Sequence, residues 1–231
     1  MEDPYVYENS NVLINKANLK DKEKLDEFEN RMTNLALVVL YSNPITITTV
    51  HDIFKIHVAL FKNVYNWAGK PRTINISKNE PILTGLSADY TPHKEIINEI
   101  NTLDILFKHQ RWNEMNKEDF VHVFTRFIAK LWQIHPFREG NTRTISSFAF
   151  LLLKQYGYHY NPTIIKENAK YFRNALVMAS IKEYSEYHYL QNILTAAIEV
   201  HVDKTSATKY KTIGDYDVDE YEYEYHKLKI D

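Results

Sequence analysis

The spacing of apolar positions divides most of this chain into helical stretches with one strand-like interruption. Residues 22–41 carry Leu25, Phe28, Met32, Leu35 and Val39 at three- and four-residue steps, the period of an amphipathic helix. Thr48 or Thr49 stands where a cap is needed for a second helix, whose apolar stripe is Ile53, Ile56, Leu60 and Phe61. Helical spacing returns over residues 94–107 through Ile96, Ile97, Ile100, Leu103 and Phe107. Asn116 is predicted to cap a helix that buries Phe120, Phe124, Phe127, Ile128, Leu131 and Trp132. Pro136 stops it, because the residue before a proline avoids the α region. From Thr142 a further helix buries Ile145, Phe148, Ala149, Leu152 and Leu153, with Gly157 as its C-terminal cap. Two more helices are predicted at 163–179 and 181–200.

Residues 71–92 break the period. Arg72-Thr-Ile-Asn-Ile-Ser77 alternates β-branched and polar side chains, and Pro81, Gly85 and Pro92 forbid a long helix around it. A hairpin or flap between helices fits this pattern. Residues 1–20 have no clear period and are expected to pack across the domain as an extended arm. Beyond residue 202, Asp215-Tyr-Asp-Val-Asp-Glu-Tyr-Glu-Tyr-Glu-Tyr225 alternates acidic and aromatic residues and is read as a solvated tail. The expected fold is mainly α, a helical bundle with a short β-hairpin flap. Its parts are an N-terminal arm and helix over 1–50, a catalytic core over 51–200, and an acidic, tyrosine-rich tail over 201–231.

Composition narrows the class of protein. Only five glycines and seven prolines occur in 231 residues, which supports helices over a turn-rich β fold. The formal net charge of −2 supplies no electrostatic reason to expect nucleic acid or an anionic membrane as a partner. Cysteine is absent, so disulfides and thiolate metal sites are excluded. No signal-peptide pattern opens the chain, and no window approaches the roughly 18–20 apolar residues that span a bilayer. A cytoplasmic location is expected.

One connection concentrates chemically capable residues: His135-Pro-Phe-Arg-Glu-Gly-Asn-Thr-Arg-Thr144. Gly140 and Asn141 lead into a helix whose first amides lack intrahelical acceptors, and such an N-terminus attracts phosphate. Arg143, in the first turn, opposes the helix dipole by a few tenths of a kcal/mol, which suggests a compensating partner such as a polyphosphate. Glu139 is a hard oxygen donor suited to Mg²⁺ shared with phosphates. His135 can accept a hydroxyl proton near neutral pH. Phe137 reads as an apolar peg fixing the loop to the core.

The stretch His135-Pro-Phe-Arg-Glu-Gly-Asn-Thr-Arg143 resembles the signature of Fic-domain proteins, His-x-Phe-x-Asp/Glu-Gly-Asn-Gly-Arg-x-x-Arg. Asn63-Val-Tyr-Asn-Trp-Ala-Gly69 and Arg72-Thr-Ile-Asn-Ile-Ser-Lys78 are similar to the segment that precedes the flap in these proteins. Asp3-Pro-Tyr-Val-Tyr7 and Asn11-Val-Leu13 resemble the opening of the cell-filamentation branch. The resemblance implies transfer of AMP from ATP to a Ser, Thr or Tyr hydroxyl of a target protein. It makes His135 the general base, Glu139 the holder of Mg²⁺, and Gly140, Asn141 and the Thr142 amide the anion hole. Arg143 would grip the outer phosphates. Arg72, Thr73, Ile74, Asn75, Ile76, Ser77 and Lys78 would form the target-docking flap, acting by strand addition.

Two positions depart from that signature. Thr142 replaces its second glycine, which restricts the backbone angles of the turn; relatives with a bulky residue there can bind the nucleotide reversed and transfer phosphate. Ser146 replaces its second arginine, removing a cation from the phosphate site. AMP transfer stays ahead, with phosphate transfer or another nucleotide or diphosphate donor as the alternative, and a catalytically weak protein-binding module third. Thr163-Ile-Ile-Lys-Glu167-Asn168 matches the inhibitory pattern of relatives but is read as a core helix. Inhibition by a separate antitoxin is left open, and a toxin or effector role follows from family analogy alone.

Overall fold

The computed structural model describes residues 3–83, 87–181 and 184–198. Gly85 and the tail beyond 200 lie outside the described residues, and so does part of the helix expected over 181–200. Eight α-helices are described: α1 (Lys22–Ser42), α2 (Asp52–Phe61), α3 (Ile96–His109), α4 (Lys117–Ile134), α5 (Asn141–Gln155), α6 (Pro162–Glu167), α7 (Ala169–Met178) and α8 (His188–Ala197). Two short strands, β1 (Ser77–Asn79) and β2 (Ser87–Asp89), pair antiparallel with Lys78 opposite Ala88. The mainly α expectation with a small flap holds. No described helix is long and apolar enough to cross a membrane.

Helix α4 is the hub, packing on α3, α5, α7 and α8, while α2 joins α1 to α5. Its predicted stripe Phe120, Phe124, Phe127, Ile128, Leu131 and Trp132 is wholly buried, as is that of α5. Asn116 caps α4 by accepting the Asp119 amide at 2.9 Å. Gly157, at φ +78°, closes α5 with its amide on the Lys154 carbonyl. The N-terminal arm is tied down at Lys16, whose amide donates to the Val64 carbonyl, and at Tyr5, whose hydroxyl accepts the Thr73 amide at 3.0 Å; an isolated bridge between Val6 and Leu13 folds the arm on itself.

Four expectations need correction. Neither threonine is the N-cap of α2, a position held by His51 without a side-chain cap bond. Instead Asp52 Oδ2 accepts the amides of Thr48 (2.8 Å) and Thr49 (3.0 Å), satisfying the turn from inside the helix. The strand begins at Ser77 rather than Arg72, because Arg72 is turned inward (below). The stretch 163–179 is two helices, α6 and α7, meeting at Asn168, whose amide closes on the Ile164 carbonyl.

The buried face of α1 is also rotated from the predicted stripe. Leu25, Glu29, Thr33, Leu37 and Leu40 point inward, while Leu35 (55% exposed) and Val39 (63%) face out. Two polar residues therefore hold positions that apolar periodicity assigns to others.

Candidate active site

The turn between α4 and α5 is built by exact matching of polar partners. His135 ends α4 in a left-handed conformation, φ 49° and ψ 60°. Few non-glycine residues adopt that region, and here the bend turns the imidazole back under the flap. Phe137 is fully buried, with ring centroids 3.8 Å from His57 and 5.6 Å from Phe54. Asn141, nearly buried, closes the loop on itself: its Oδ1 accepts the Phe137 amide at 2.9 Å and its Nδ2 donates to the Phe137 carbonyl at 2.8 Å. Gly140 adopts φ +79°, and a β-carbon there would overlap the Phe61 ring. Both observations require glycine at that position.

His57, on α2, holds the loop from below. Its Nδ1 accepts the Gly69 amide at 2.8 Å, so its proton resides on Nε2, which donates to the Glu139 carbonyl at 3.1 Å. Burial lowers its pKa to about 3. His135 is lowered in the same direction, first by burial and then by the charges of Lys78, Arg72 and Arg173. A histidine kept neutral in the fold binds its proton only in the unfolded chain, so stability is lost as pH falls below about 6.5, the ordinary imidazole value. His57 alone removes about 1.4 kcal/mol per pH unit from there down to about pH 3, and His135 adds to it. Urea titrations at pH 7.5, 6.5 and 5.5 should show the decline between the last two values; for His57→Gln the slope should be shallower.

His135 Nδ1 lies 3.3 Å from the Trp132 carbonyl. A carbonyl only accepts, so Nδ1 carries the hydrogen and Nε2 keeps a free lone pair. The ring stacks on Tyr90, with centroids 3.7 Å apart and planes inclined by 19°.

The cleft in front of this ring is lined by Lys78, Trp132, His135, residues 139–143 and Arg173. Thus His135, Glu139, Gly140, Asn141, Thr142 and Arg143 come together as expected. The α5 ladder opens with the Thr144 amide on the Gly140 carbonyl, which leaves the three preceding amides without intrahelical acceptors. Glu139 is half-buried, and desolvation by itself raises its pKa. Lys78, Arg143 and the Gly140 amide outweigh that effect, so it is held as a carboxylate.

Several expected roles change on inspection of the geometry. Thr142 lies in helical backbone within α5 and is not among the residues with positive φ, so the lost glycine creates no strain there. Its Oγ1 accepts the Trp132 indole N–H at 3.3 Å. Arg143 already has a protein partner: its Nη2 pairs with Glu29 Oε1 of α1, and its Nη1 donates to Thr33 Oγ1 at 3.1 Å. Its guanidinium sits 4.9 Å from the Phe61 ring centroid. Glu29 supplies the compensation for a cation in the first turn.

Arg72 is the clearest correction. Only 2% exposed, it donates from Nε to the His135 carbonyl (2.9 Å) and from Nη1 to the Ile74 carbonyl (2.7 Å). A further bond runs from Nη2 to the Thr91 carbonyl, so every nitrogen of the fork clamps backbone. It staples the loop to the flap and cannot dock a target. Thr73 and Asn75 bind the arm and the His93 turn through Tyr5 and His93, and Ile76 packs against the core.

Reading the sequence singly missed Arg173, Glu29, His57 and Tyr90. Glu29 and His57 carried a usable signal, since each is a polar residue on a buried helical face. Arg173 and Tyr90 carried none. Among the described residues no cluster of three or more His, Cys, Asp or Glu could hold a metal by itself. Glu139, the one carboxylate among the described residues lining the cleft, is a donor of the kind that suits Mg²⁺, which keeps most of its ligands as water and phosphate oxygens.

A model of the Fic/DOC family matches residues 47–153. The probable protein adenylyltransferase y4lH of Sinorhizobium fredii is 31% identical over 178 residues, spanning 77% of this chain and 88% of that protein. The protein adenylyltransferase VbhT of Bartonella schoenbuchensis is 26% identical over 229 residues, or 94% of this chain but only 44% of its own length. Among solved structures, the BepC protein of Bartonella tribocorum with bound AMPPNP superposes with a TM-score of 0.69 at 18% identity, covering 86% of this chain and 97% of that one. The fold is shared with that structure, and the identity with y4lH over most of both chains places the sequence: it belongs to the Fic/DOC family.

Proposed function

We propose that the protein is an adenylyltransferase that moves AMP from ATP onto a hydroxyl of a target protein. The observation that carries this reading is the free Nε2 of His135 facing the same cleft as the ionised Glu139 and the α5 N-terminus. Relatives bearing the name protein adenylyltransferase, and an AMPPNP-bound structure of the same fold, support it.

In this reaction the triphosphate lies against the amides at the start of α5. Glu139 would hold Mg²⁺, which supplies charge neutralisation of the phosphates when bound. The target's O–H proton passes to His135 Nε2 while its oxygen bonds to the α-phosphorus. The α–β phosphoanhydride bond breaks and pyrophosphate leaves. Burial is the main cause of the low His135 pKa and the neighbouring cations add to it; the phosphates offset the cations, so the base gains basicity when the nucleotide is present. The target backbone adds to the open edge of β1, within reach of the cleft that Lys78 lines.

Phosphate transfer is the competing chemistry, and the small side chain at Thr142 favours AMP transfer over it. Incubating the protein with cell lysate and either α- or γ-labelled ATP separates the two. The α-label should reach a protein band and the γ-label should not; the reverse pattern sinks the proposal.

A further inference from the structure

Three cations line the cleft: Lys78 from β1, Arg143 from α5 and Arg173 from α7. Ser146, where the signature carries its second arginine, does not line it. We infer that Arg173 is a phosphate-binding residue of this cleft, holding the polyphosphate of a nucleotide from the α7 side. The inference rests on the adenylyltransferase reading for the identity of the nucleotide, but not for the presence of a polyphosphate.

Arg173 is positioned for this by Glu80. Its Nη1 lies 2.7 Å from Glu80 Oε2 and its Nη2 3.0 Å from Glu80 Oε1, a fork-to-fork pair. Glu80 is only 3% exposed and directly follows β1, so the pair joins α7 to the base of the flap. A guanidinium has five N–H donors, and the pair occupies one on each terminal nitrogen. The remaining donors can serve phosphate oxygens while Glu80 keeps the plane fixed. Glu80 also accepts from Tyr90 at 3.4 Å, and Tyr90 stacks on His135. The same carboxylate therefore orients both the arginine and the ring beside the base.

Among the residues that line the cleft, Lys78, Arg143 and Arg173 face one carboxylate, Glu139, while the counterions of the two arginines, Glu29 and Glu80, are not lining residues. Arg143 divides its interactions with Glu29, whose other oxygen is engaged by Tyr65. Arg173 has a comparable counterion in Glu80.

The test measures AMPPNP affinity by calorimetry, with Mg²⁺, for the full chain and for Arg173→Met, Glu80→Met and the double variant. Hydrogen bonds to a charged group are worth enough that Arg173→Met should weaken AMPPNP by roughly 10- to 100-fold. The double variant replaces the ion pair by two apolar side chains, which guards against a fold defect from an orphaned Glu80. It should be as weak as Arg173→Met, whereas Glu80→Met, which keeps the guanidinium but removes the carboxylate that orients it, should lose clearly less affinity than either. Wild-type affinity in the double variant, or an equal loss in all three, would show that the pair only latches the flap and overturn the inference. The two proposals fail separately. A protein that binds AMPPNP in this pattern but transfers no α-label loses the adenylyltransferase reading and keeps the phosphate site.

Discussion

Under the proposed mechanism, replacing His135 by asparagine should lower the rate of AMP transfer by about 10²- to 10⁴-fold, the usual contribution of a positioned general base. That is roughly 3–5 kcal/mol of barrier. Asparagine is the better variant than alanine because the position is left-handed, φ 49°, a region that asparagine tolerates. Its side-chain amide can also donate toward the Trp132 carbonyl, which now receives Nδ1–H at 3.3 Å. What it lacks is a basic nitrogen in place of Nε2. The fold and the amides at the start of α5 are untouched, so AMPPNP affinity should change by less than about threefold, within what loss of ring stacking on Tyr90 allows. Time courses with α-labelled ATP and calorimetry on the same preparation read the two quantities separately. An asparagine variant that labels its target at the wild-type rate removes His135 from the chemistry.

That result depends on how the turn is made, and the turn was the part of the structure most legible in the sequence. Pro136 and Gly140 each constrain the backbone so strongly that residue type points to local geometry, a helix stop and a permissive turn, whereas the closure of the Asn141 side chain on Phe137 was not foreseen. The stripes of α4 and α5 were equally plain because these helices are buried against several neighbours and have little polar content facing inward.

Legibility failed where a distant polar partner decides the outcome. The alternating pattern from Arg72 to Ser77 looks like a strand, yet the first residue is drawn inward by three backbone carbonyls, one of them 63 positions away at His135. Thr142 appeared to threaten the phosphate turn, but only knowledge of its helical backbone removes the concern. On α1, apolar spacing selected Leu35 and Val39, and both face outward. Glu29 and Thr33 displaced them because Arg143, more than a hundred residues later, needs a countercharge on that side. Periodicity counts hydrophobic burial and cannot see a charge that another element brings. Glu167, in the stretch that matches the inhibitory pattern, is exposed at the end of α6, so the carboxylate that meets Arg143 comes from the opposite end of the chain.

Removing that carboxylate should therefore expose the cost of burying Arg143. In Glu29→Ala the guanidinium, with its side chain 19% exposed, keeps Thr33 but loses its charge partner, and the Tyr65 hydroxyl loses its acceptor. Breaking a buried pair from one side costs about 3–5 kcal/mol, because the remaining ion stays desolvated. Urea unfolding without nucleotide should show that loss. A bound polyphosphate brings negative charge to the cleft that Arg143 also lines, so saturating AMPPNP with Mg²⁺ should stabilise the variant more than the wild type. By linkage the variant must then bind AMPPNP more tightly than the wild type does. Glu29→Gln, which keeps an acceptor for Tyr65 but no charge, should fall between the two. If AMPPNP stabilises Glu29→Ala and wild type equally, Arg143 serves Glu29 alone, and the phosphate grip must come from Lys78, Arg173 and the α5 amides.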